Sequence, residues 1–496
     1  MLEVKNINKS FFGNPALVDV SFSVEDGEII SFVGQNGAGK STLMKVLSGA
    51  ITADSGEIVI NGEKVVIRDP MDSEKHGISI VYQELSNMPH LTVSANIVSG
   101  HEKMKGVWLD KKEESAVARE YLKRLGEEID PDMLMSKLSI SQQQICEIAK
   151  AISKNPKIVI LDEPTTALTM QEREKLFEVM RKMKKEGLII LFITHYLEDV
   201  LELSDKCLVL KDGKTIYSGN MEGLNQEKLV NMMVGQKVEN FYPVRNKVEI
   251  GDVALELRDF GDDRARCSFR LHYGEIVGLS GLIGAGRTEI AKMIFGEEKA
   301  KYGELLLDSK TVTINSPQEA ITRGIAYISE DRKKEGLCTK LTIGHNLSLP
   351  SMVARRKDLF KGSGLIHNKN ESKKNQEMIE RLQIKCTGEE QMVYNLSGGN
   401  QQKISISKWI ETNAKIYIFD EPTKGIDINA KISVYHAMNE LAESGAAVLL
   451  ISSYNPELLE LCDRILTMSR GKMTVEFSKD KDKFTEKNLM LAQQIL

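Results

Sequence analysis

The chain has 496 residues, 41% of them hydrophobic and 28% charged, which predicts a water-soluble globular protein of two or more domains. Its formal charge of −5 gives no overall basic surface that would favour nucleic acid as a partner. Its six cysteines are widely separated and form no C-x-x-C pair, which argues against a zinc site or a disulfide framework and for a reducing cytosol. Since no apolar run approaches the roughly 18 residues that span a bilayer and the N-terminus resembles no signal peptide, we expect neither a membrane span nor secretion.

The first motif along the chain follows a predicted strand and reads GQNGAGKS, at residues 34–41. It fits G-x-x-x-x-G-K-[ST], and residues 42–47 have the helical character that this motif requires after its turn. Glycines let consecutive backbone N–H groups surround a phosphate chain, and the helix N-terminus adds its positive dipole end. Lys40 is predicted to reach the β- and γ-phosphates, and the Ser41 hydroxyl to bind Mg²⁺. The predicted nucleotide contacts of this loop are Gly34, Gln35, Asn36, Gly37, Ala38, Gly39, Lys40, Ser41 and Thr42.

Two further positions near the loop have open alternatives. Phe11 or Phe12, upstream of the loop, is predicted to stack on adenine, although core packing is an equal alternative. Gln83 ends a predicted strand, and its amide can contact Mg²⁺ or the attacking water and also touch the next lobe, although a solvent-exposed loop glutamine is the alternative. The helix-rich segment that follows, which includes residues 111–125, is predicted to form a separate lobe.

Two buried strands are predicted to deliver the catalytic groups. The apolar run at residues 157–161 ends in Asp162, which is predicted to hold Mg²⁺ directly or through water. Glu163 then follows as the predicted general base that polarises the attacking water, against the alternative of an N-cap acid followed by a surface glutamate. His195 ends the next buried strand and is predicted to hydrogen-bond the γ-phosphate, whereas a lone histidine after a strand is usually structural.

The second half of the chain repeats the first. The loop at residues 34–41 recurs 247 residues later as GLIGAGRT, and ILDEPT at residues 160–165 recurs 258 residues later as IFDEPT. Strand-like runs alternate with helical ones in each copy, which predicts two α/β domains with mostly parallel sheets and crossover helices. The dipeptide Asp212-Gly213 predicts a late β-hairpin. We predict a first domain at residues 1–237, a linker at 238–250 and a second domain at 251–496.

The last motif is a Ser-Gly-Gly turn that opens a helix, LSGGNQQ at residues 396–402, whose first-half counterpart reads LSISQQQ. Such a turn is an anion cradle, although alone it is also compatible with a plain helix cap. Together with the other motifs it resembles the signature sequence of ATP-binding cassette proteins, so the two segments are called signature turns below. The motifs occur in one order, which the second half repeats: phosphate loop, Gln83, LSxxQ, Asp-Glu-Pro-Thr and His195. This order resembles the tandem ATPase subunit of bacterial ATP-binding cassette (ABC) importers. Three details resemble the ATPase subunits of importers of the ribose, galactose, xylose and arabinose type. They are YQEL at 82–85 with LTV at 91–93, the altered second loop, and SEDRK at 329–333.

The resemblance covers essentially the whole chain. It implies two tandem P-loop NTPase domains, each with a RecA-like core, an antiparallel β-subdomain and a helical lobe. It also implies a peripheral subunit on the cytoplasmic face of the membrane, where ATP hydrolysis with Mg²⁺ energises import of a monosaccharide. The implied partners are permease subunits, contacted by roughly residues 85–100 and by their counterpart after Glu330, and through them an extracytoplasmic solute-binding protein. Neither nucleic acid nor the sugar itself is expected to contact this chain.

Other cassette proteins fit the sequence less well. A nucleoside or another small solute is the nearest alternative cargo. A soluble twin-cassette ATPase acting on ribosomes would carry a long charged helical linker and two intact signatures, whereas this chain has a short linker and an altered first signature. A DNA-repair cassette protein would need zinc-binding cysteine clusters, which this sequence lacks. A nucleotide-binding module without hydrolysis is countered by the joint presence of Glu163 and His195.

Cassette domains pack head to tail, so the resemblance implies that each ATP lies between the phosphate loop of one half and the signature turn of the other. For the first site this adds Ser397, Gly398, Gly399 and Asp427. The second site instead combines several substitutions: Arg287 for lysine, Glu330 for Gln83, Ser453 for His195, Ile140 and Ser141 for two glycines, and Thr169 for aspartate. Because Asp420 and Glu421 remain, we expect hydrolysis mainly at the first site and weak binding or slow turnover at the second.

Overall fold

The computed structural model describes the chain except for residues 36, 83–84, 103, 106–107, 166–167, 169, 195, 235–240, 247, 283, 355–358, 360–365, 480–483, 494 and 496, and the side chains of Met170 and Gln171. The chain divides into a first unit, Met1–Glu239, and a second unit, Asn240–Leu496. No helix within the described ranges is long and apolar enough to cross a membrane.

The first unit contains the following strands: β1 (Leu2–Phe11), β2 (Asn14–Val24), β3 (Ile29–Gly34), β4 (Ser55–Ile60), β5 (Glu63–Val65), β6 (Ile78–Val81), β7 (Met104–Lys105), β8 (Trp108–Leu109), β9 (Ile158–Asp162), β10 (Ile189–Ile193), β11 (Lys206–Lys211) and β12 (Lys214–Asn220). Its helices are α1 (Lys40–Leu47), α2 (Pro70–Lys75), α3 (Val93–Ile97), α4 (Lys111–Leu125), α5 (Ile140–Ser153), α6 (Met170–Lys185), α7 (Leu197–Leu203) and α8 (Gln226–Val234).

A parallel sheet in the order β11-β3-β10-β9-β6 forms the centre of the first unit. Every residue of β3 is buried, as expected for a strand covered on both faces. Its side chains alternate between the faces: Ile30 and Phe32 pack with Leu43 of α1, while Ile29 packs in the other cluster with Ile148 of α5. Because the five strands are parallel, their carboxyl ends lie at the same edge of the sheet.

An antiparallel group in the order β5-β4-β1-β2 extends this sheet, with β12 of the hairpin between it and the core. The hairpin turns at Asp212 and Gly213, which both have positive φ, 47° and 77°, as a type I′ turn requires. Helices α3, α4 and α5 form the lobe beside the core, and α4 begins at the Asp110 cap and ends at the left-handed Gly126. The predicted hairpin and α/β class are therefore confirmed, whereas the helices of the lobe share one hydrophobic cluster with the core strands and are not a separate unit.

The second unit contains the following strands: β13 (Val253–Gly261), β14 (Arg266–His272), β15 (Ile276–Gly281), β16 (Tyr302–Leu307), β17 (Lys310–Val312), β18 (Ile325–Ile328), β19 (Ile416–Asp420), β20 (Ala447–Ser452), β21 (Arg464–Ser469) and β22 (Lys472–Ser478). Its helices are α9 (Arg287–Phe295), α10 (Pro317–Thr322), α11 (Ile343–Val353), α12 (Asn368–Arg381), α13 (Gly398–Ile410), α14 (Ile428–Glu443), α15 (Asn455–Leu461) and α16 (Glu486–Ala492), with a π-helical turn at Arg332–Gly336.

The second unit has the same strand order as the first, β17-β16-β13-β14-β22-β21-β15-β20-β19-β18. The internal repeat seen in the sequence is thus a repeat of topology. Within the predicted linker, Phe241 and Tyr242 pack against Tyr435 of α14, and Asn439 Nδ2 donates to the Pro243 carbonyl at 2.7 Å. This stretch of the linker is therefore packed on the second unit.

Candidate nucleotide-binding sites

Glycines shape the turn between β3 and α1. Gly37 and Gly39 have φ values of 83° and 104°, which favour glycine, and a Cβ on Gly39 would lie 2.8 Å from the Ala16 carbonyl oxygen. Lys40 is buried, and its Nζ donates to the carbonyl oxygens of Gly34 at 2.6 Å and Gln35 at 3.0 Å. A cation inside a backbone loop at the start of a helix fits a phosphate group.

Asp162 and Glu163 follow β9 at the carboxyl edge of the sheet. Burial raises the pKa of Asp162, as does the neighbouring Glu163, whereas Lys40 lowers it. Glu163 has a φ of 48°, in the left-handed region that glutamate rarely adopts, and its N–H donates to the Ile193 carbonyl on β10 at 2.9 Å. Backbone of this kind costs about 1–3 kcal/mol and persists only where the surrounding structure holds it. The charges of Lys40, Asp162 and Glu163 therefore meet at one edge of the first unit.

The oxygen atoms near this edge suit a hard cation. Ser41 is exposed at the second position of α1, and Asp162 is only partly buried at the end of its strand. Hydroxyl and carboxylate oxygens are ligands that Mg²⁺ accepts, usually together with water and substrate phosphates rather than in an all-protein cage. The described residues contain no group of three or more His, Cys, Asp and Glu side chains that could hold a metal ion.

The aromatic side chains upstream of the loop lie at the surface. Phe11 is 41% exposed at the end of β1, with Lys9 Nζ 5.7 Å from its ring centroid, and Phe12 is fully exposed. Both rings therefore lie outside the core, and adenine stacking by Phe11 stays a prediction. The predicted residues Asn36, Gln83, Thr169 and His195 lie outside the described residues.

In the second unit the corresponding loop is paired internally. Arg287, at the position of Lys40, is buried, and its Nη2 lies 3.4 Å from Oε1 of Glu421, the counterpart of Glu163. Ser453, at the position of His195, donates from Oγ to Glu421 Oε2 at 3.1 Å. Burial raises the pKa of Glu421, while Arg287 lowers it. The acid at the catalytic position is thus the partner of the loop's own cation.

Two more contacts distinguish the second unit. Asp420, the counterpart of Asp162, is fully buried and accepts a hydrogen bond from Tyr327 Oη at 3.0 Å, and burial raises its pKa to about 7. Lys424 Nζ donates to Glu330 Oε1 at 2.7 Å, so the acid at the position of Gln83 is also paired. Sequence reasoning missed Tyr327, which a residue-by-residue alignment of the two halves at the 247-residue offset would have placed opposite Ile80.

The serines of the two signature turns have different partners. Ser139 caps α5: its Oγ accepts from the Gln142 N–H at 3.2 Å, and its own N–H donates to Gln142 Oε1 at 3.0 Å. Ser397 makes no side-chain cap bond to α13, and its Oγ accepts instead from Asn400 Nδ2 at 3.1 Å. The first N–H groups of α13 are therefore not bound by Ser397, which favours an anion at this helix end. In the first unit the next residue is Ile140, 55% exposed.

The glycines of the second signature turn lie close to two charged side chains. A Cβ on Gly399 would lie 2.8 Å from Asp427 Oδ2, and one on Gly398 would lie 2.8 Å from Arg332 Nη2. Asp427 caps α14 by accepting from the Ala430 N–H at 3.0 Å. Sequence reasoning missed Arg332, although its place in the SEDRK segment was noted. The second unit therefore brings Ser397, Gly398, Gly399 and Asp427 together.

Comparison with known proteins places this arrangement in a family. The ABC transporter family matches residues 17–166 and 265–424. A ribose import ATP-binding protein from Clostridium tetani is 43% identical, covering 97% of this chain and 95% of that protein. A xylose import ATP-binding protein from Thermoanaerobacter pseudethanolicus is 42% identical, covering 96% of each.

A likeness to a solved structure supports the fold alone. The archaeal ribosome recycling factor aABCE1, in its crystal structure with the ribosomal stalk protein aP1, is 20% identical with a TM-score of 0.63, covering 95% of this chain and 90% of that one. The predicted tandem arrangement of P-loop NTPase domains is confirmed by the two matched family regions and this full-length likeness. The chain belongs to the ABC transporter family and carries two ATP-binding cassettes in tandem.

Proposed function

We propose that this chain is the ATP-hydrolysing subunit of an ABC importer for a monosaccharide. The observation that carries the proposal is the near full-length likeness, at 43% and 42% identity, to ribose and xylose import ATP-binding proteins. Family membership by itself would not indicate the cargo, because cassettes serve many transported solutes. The charged cluster at the carboxyl edge of the first unit supports ATP hydrolysis as the reaction.

In the proposed reaction the γ-phosphoryl group of ATP is transferred to water. Lys40 balances the charge of the phosphates, and Glu163 polarises the attacking water, with His195 as the predicted partner of the γ-phosphate. Rate enhancement comes from positioning and charge stabilisation, since little covalent chemistry is left to the protein. Mg²⁺, when bound, neutralises phosphate charge. Its proposed ligands are Ser41, Gln83 and Asp162.

The two loops are proposed to contribute unequally. In the first unit Lys40 donates to the carbonyl oxygens of Gly34 and Gln35, and its charge also acts on Asp162. In the second unit Arg287 has Glu421 as an anionic partner, and Asp420 is bonded to Tyr327. Hydrolysis is therefore assigned to the first loop. That Ser397, Gly398, Gly399 and Asp427 complete its site stays a prediction.

The proposed permease contact is the segment that follows Gln83. Met88 and Leu91 expose 36% and 42% of their surfaces there, and Tyr82, directly before Gln83, exposes 43%. Asn96 holds the segment in shape, because its Oδ1 accepts from the Met88 N–H at 2.7 Å and its Nδ2 donates to the Met88 carbonyl at 3.1 Å. A preformed loop with apolar side chains outward suits a protein partner at the cytoplasmic face of the membrane. An extracytoplasmic solute-binding protein would deliver the cargo to that permease.

Uptake measurements test the proposal. The gene is deleted from its host, and entry of radiolabelled ribose, xylose and galactose is followed, with a nucleoside as comparison. We expect loss of uptake of at least one monosaccharide, restored by the wild-type gene but not by the Glu163→Gln variant. Unchanged uptake of all three sugars would contradict the proposal, and loss of nucleoside uptake alone would favour the alternative cargo.

A further inference from the structure

Asp199 of α7 is a buried acid that joins three segments of the first unit. Its Oδ2 accepts from Thr165 Oγ1 at 2.8 Å and, more weakly, from Thr194 Oγ1 at 3.5 Å. Its Oδ1 accepts from Arg173 Nη1 of α6 at 2.8 Å. Asp199 has no exposed surface and Thr165 only 4%, so these bonds lie within the protein. One carboxylate thus bonds to the ends of β9 and β10 and to the helix beside them.

These bonds lie next to the predicted catalytic groups in the chain. Glu163 is separated from Thr165 only by Pro164, and Thr194 directly precedes His195. The Glu163 N–H donates to the Ile193 carbonyl, so the two strand ends are joined by the backbone as well as through Asp199. The left-handed backbone of Glu163 is unfavourable in isolation and persists only where its surroundings hold it.

The second unit contains the same arrangement built from different residues. Glu457, 258 residues after Asp199, is fully buried and accepts from Thr423 Oγ1 at 3.1 Å and Ser452 Oγ at 2.8 Å. Both donors are also 258 residues after their counterparts, Thr165 and Thr194. The repeat therefore preserves a buried acid that bonds to two strand ends.

The basic partner changes together with the acid. Lys431 of α14 lies 258 residues after Arg173, and its charge acts on Glu457. The first unit combines the longer arginine with the shorter aspartate, and the second unit combines the shorter lysine with the longer glutamate. The exchange keeps the summed length of the two side chains similar while their identities differ. Both units therefore place a basic side chain of a helix near the buried acid that bonds to the two strand ends.

We propose that Arg173 and Asp199 are positioning residues for ATP hydrolysis, and that their ion pair holds Glu163 against the strand end that precedes His195. The inference rests on the proposed ATPase function of the first unit. Asp199 is fully buried and Arg173 is 16% exposed. They act through the backbone of residues 163–165 and 193–194. A misplacement of about 1 Å at the reacting centre is enough to lower a rate about a hundredfold.

A set of exchanges in the full chain tests this role. Asp199→Asn, Arg173→Lys and Asp199→Glu each break the match, whereas the double variant Arg173→Lys with Asp199→Glu installs the pair of the second unit. The measurements are kcat and KM for ATP, and the Kd of a fluorescent ATP analogue. We expect Asp199→Asn to lower kcat by about tenfold to a hundredfold with little change in KM or Kd. The double variant should recover most of the kcat that the single variants lose.

A matched control makes the same kind of exchange in the second unit. Lys431→Arg with Glu457→Asp should leave kcat unchanged, because hydrolysis is assigned to the first unit. A wild-type kcat in Asp199→Asn, a loss expressed only in KM, or a double variant no better than the single ones would overturn the positioning role. Should Asp199→Asn not fold, the comparison of Arg173→Lys with the double variant decides in the same way.

The failure of the proposed function is a separate outcome. If Glu163→Gln retains wild-type ATPase activity while Asp199→Asn loses it, the assignment of Glu163 is wrong, and with it the residue that the pair is said to position. If Glu163→Gln is inactive while Asp199→Asn is fully active, the ATPase function stands and the positioning role is refuted.

Discussion

Arg287 Nη2 lies 3.4 Å from Glu421 Oε1 in the second unit, and the two side chains are only 8% and 11% exposed. Arginine stays charged at all ordinary pH values, so its buried guanidinium requires an anionic or hydrogen-bonding partner. Glu421 fills that role where a nucleotide phosphate would otherwise do so. We therefore propose that ATP binding to this loop would compete with an ion pair already present.

Removal of the competing carboxylate should strengthen nucleotide binding to the second loop. In a Lys40→Ala background, which disables the first loop, Glu421→Gln is expected to lower the Kd of a fluorescent ATP analogue by about fivefold, the equivalent of about 1 kcal/mol. Ser453→Ala, which removes only a neutral hydrogen bond to Glu421, is the control and should have a smaller effect. A Kd that rises in the Glu421→Gln variant would show that the glutamate does not compete with nucleotide.

Glu163 and Glu421, the glutamates of the two Asp-Glu-Pro sequences, should differ in their contribution to catalysis. Glu163→Gln removes the proposed general base of the first site and is expected to lower steady-state phosphate release by about 10²-fold or more. Glu421→Gln should reduce it much less, since that carboxylate is engaged with Arg287. The comparison requires only purified wild-type and variant chains assayed at saturating ATP. Equal losses in both variants would refute the assignment of hydrolysis to the first loop.

Substitution of Ser139 should affect stability, whereas substitution of Ser397 should affect ATPase activity. Ser139 caps α5 in a reciprocal capping box, so Ser139→Ala is expected to destabilise that region by about 1 kcal/mol while the ATPase rate is kept. Ser397 makes no side-chain cap bond to α13, so Ser397→Ala should leave the thermal unfolding temperature almost unchanged and lower the ATPase rate. Thermal unfolding and phosphate release are measured on both variants. The opposite pattern would mean that Ser397 has a structural role and no contact with nucleotide.

Stability should depend on pH through Glu457. Burial raises its pKa to about 7, while hydrogen bonds from Ser452 and Thr423 and the charge of Lys431 act in the other direction. Its ordinary value is 4.5. Between pH 4.5 and 7 the folded state therefore retains a proton that the unfolded chain releases. The contribution of this group to stability is greatest below pH 4.5 and declines as the pH rises towards 7.

Glu457→Gln keeps a neutral side chain of similar shape and should abolish that decline. The unfolding temperature of the variant, relative to wild type, is expected to rise between pH 5 and pH 8. The corresponding change in stability is about 1–3 kcal/mol. Thermal unfolding of both chains in matched buffers measures it. A difference in unfolding temperature that is independent of pH would show that Glu457 does not carry a raised pKa in the folded chain.

Much of the fold could be predicted because its signals are local. A buried apolar run predicts the strand before the glycine turn and helix at residues 29–47. A capping aspartate marks the start of the helix at 111–125, and the dipeptide Asp212-Gly213, which accepts positive φ, marks the hairpin. The placement of Lys40, Asp162 and Glu163 at one edge was also predictable. Parallel strands end at the same edge of a sheet, so motifs after such strands meet there.

Partners of buried charges were not predictable in this way. The pairing of Arg287 with Glu421, the bond from Tyr327 to Asp420 and the carboxylate of Asp199 between β9, β10 and α6 all join segments far apart in the chain. Each depends on strand order and helix packing to within a few ångströms, whereas sequence spacing constrains only neighbours along one element.

By itself the sequence determined the repeated order of motifs, the α/β class of both halves and the inequality of the two loops, since these are properties of residue type and spacing. Only the tertiary structure showed that Glu421 is the acid paired with Arg287, and that Asp199 is the acid that bonds to both Thr165 and Arg173. In a buried, weakly polarisable interior a charge must be paired, and its partner is whichever group the crossover connections bring within a few ångströms.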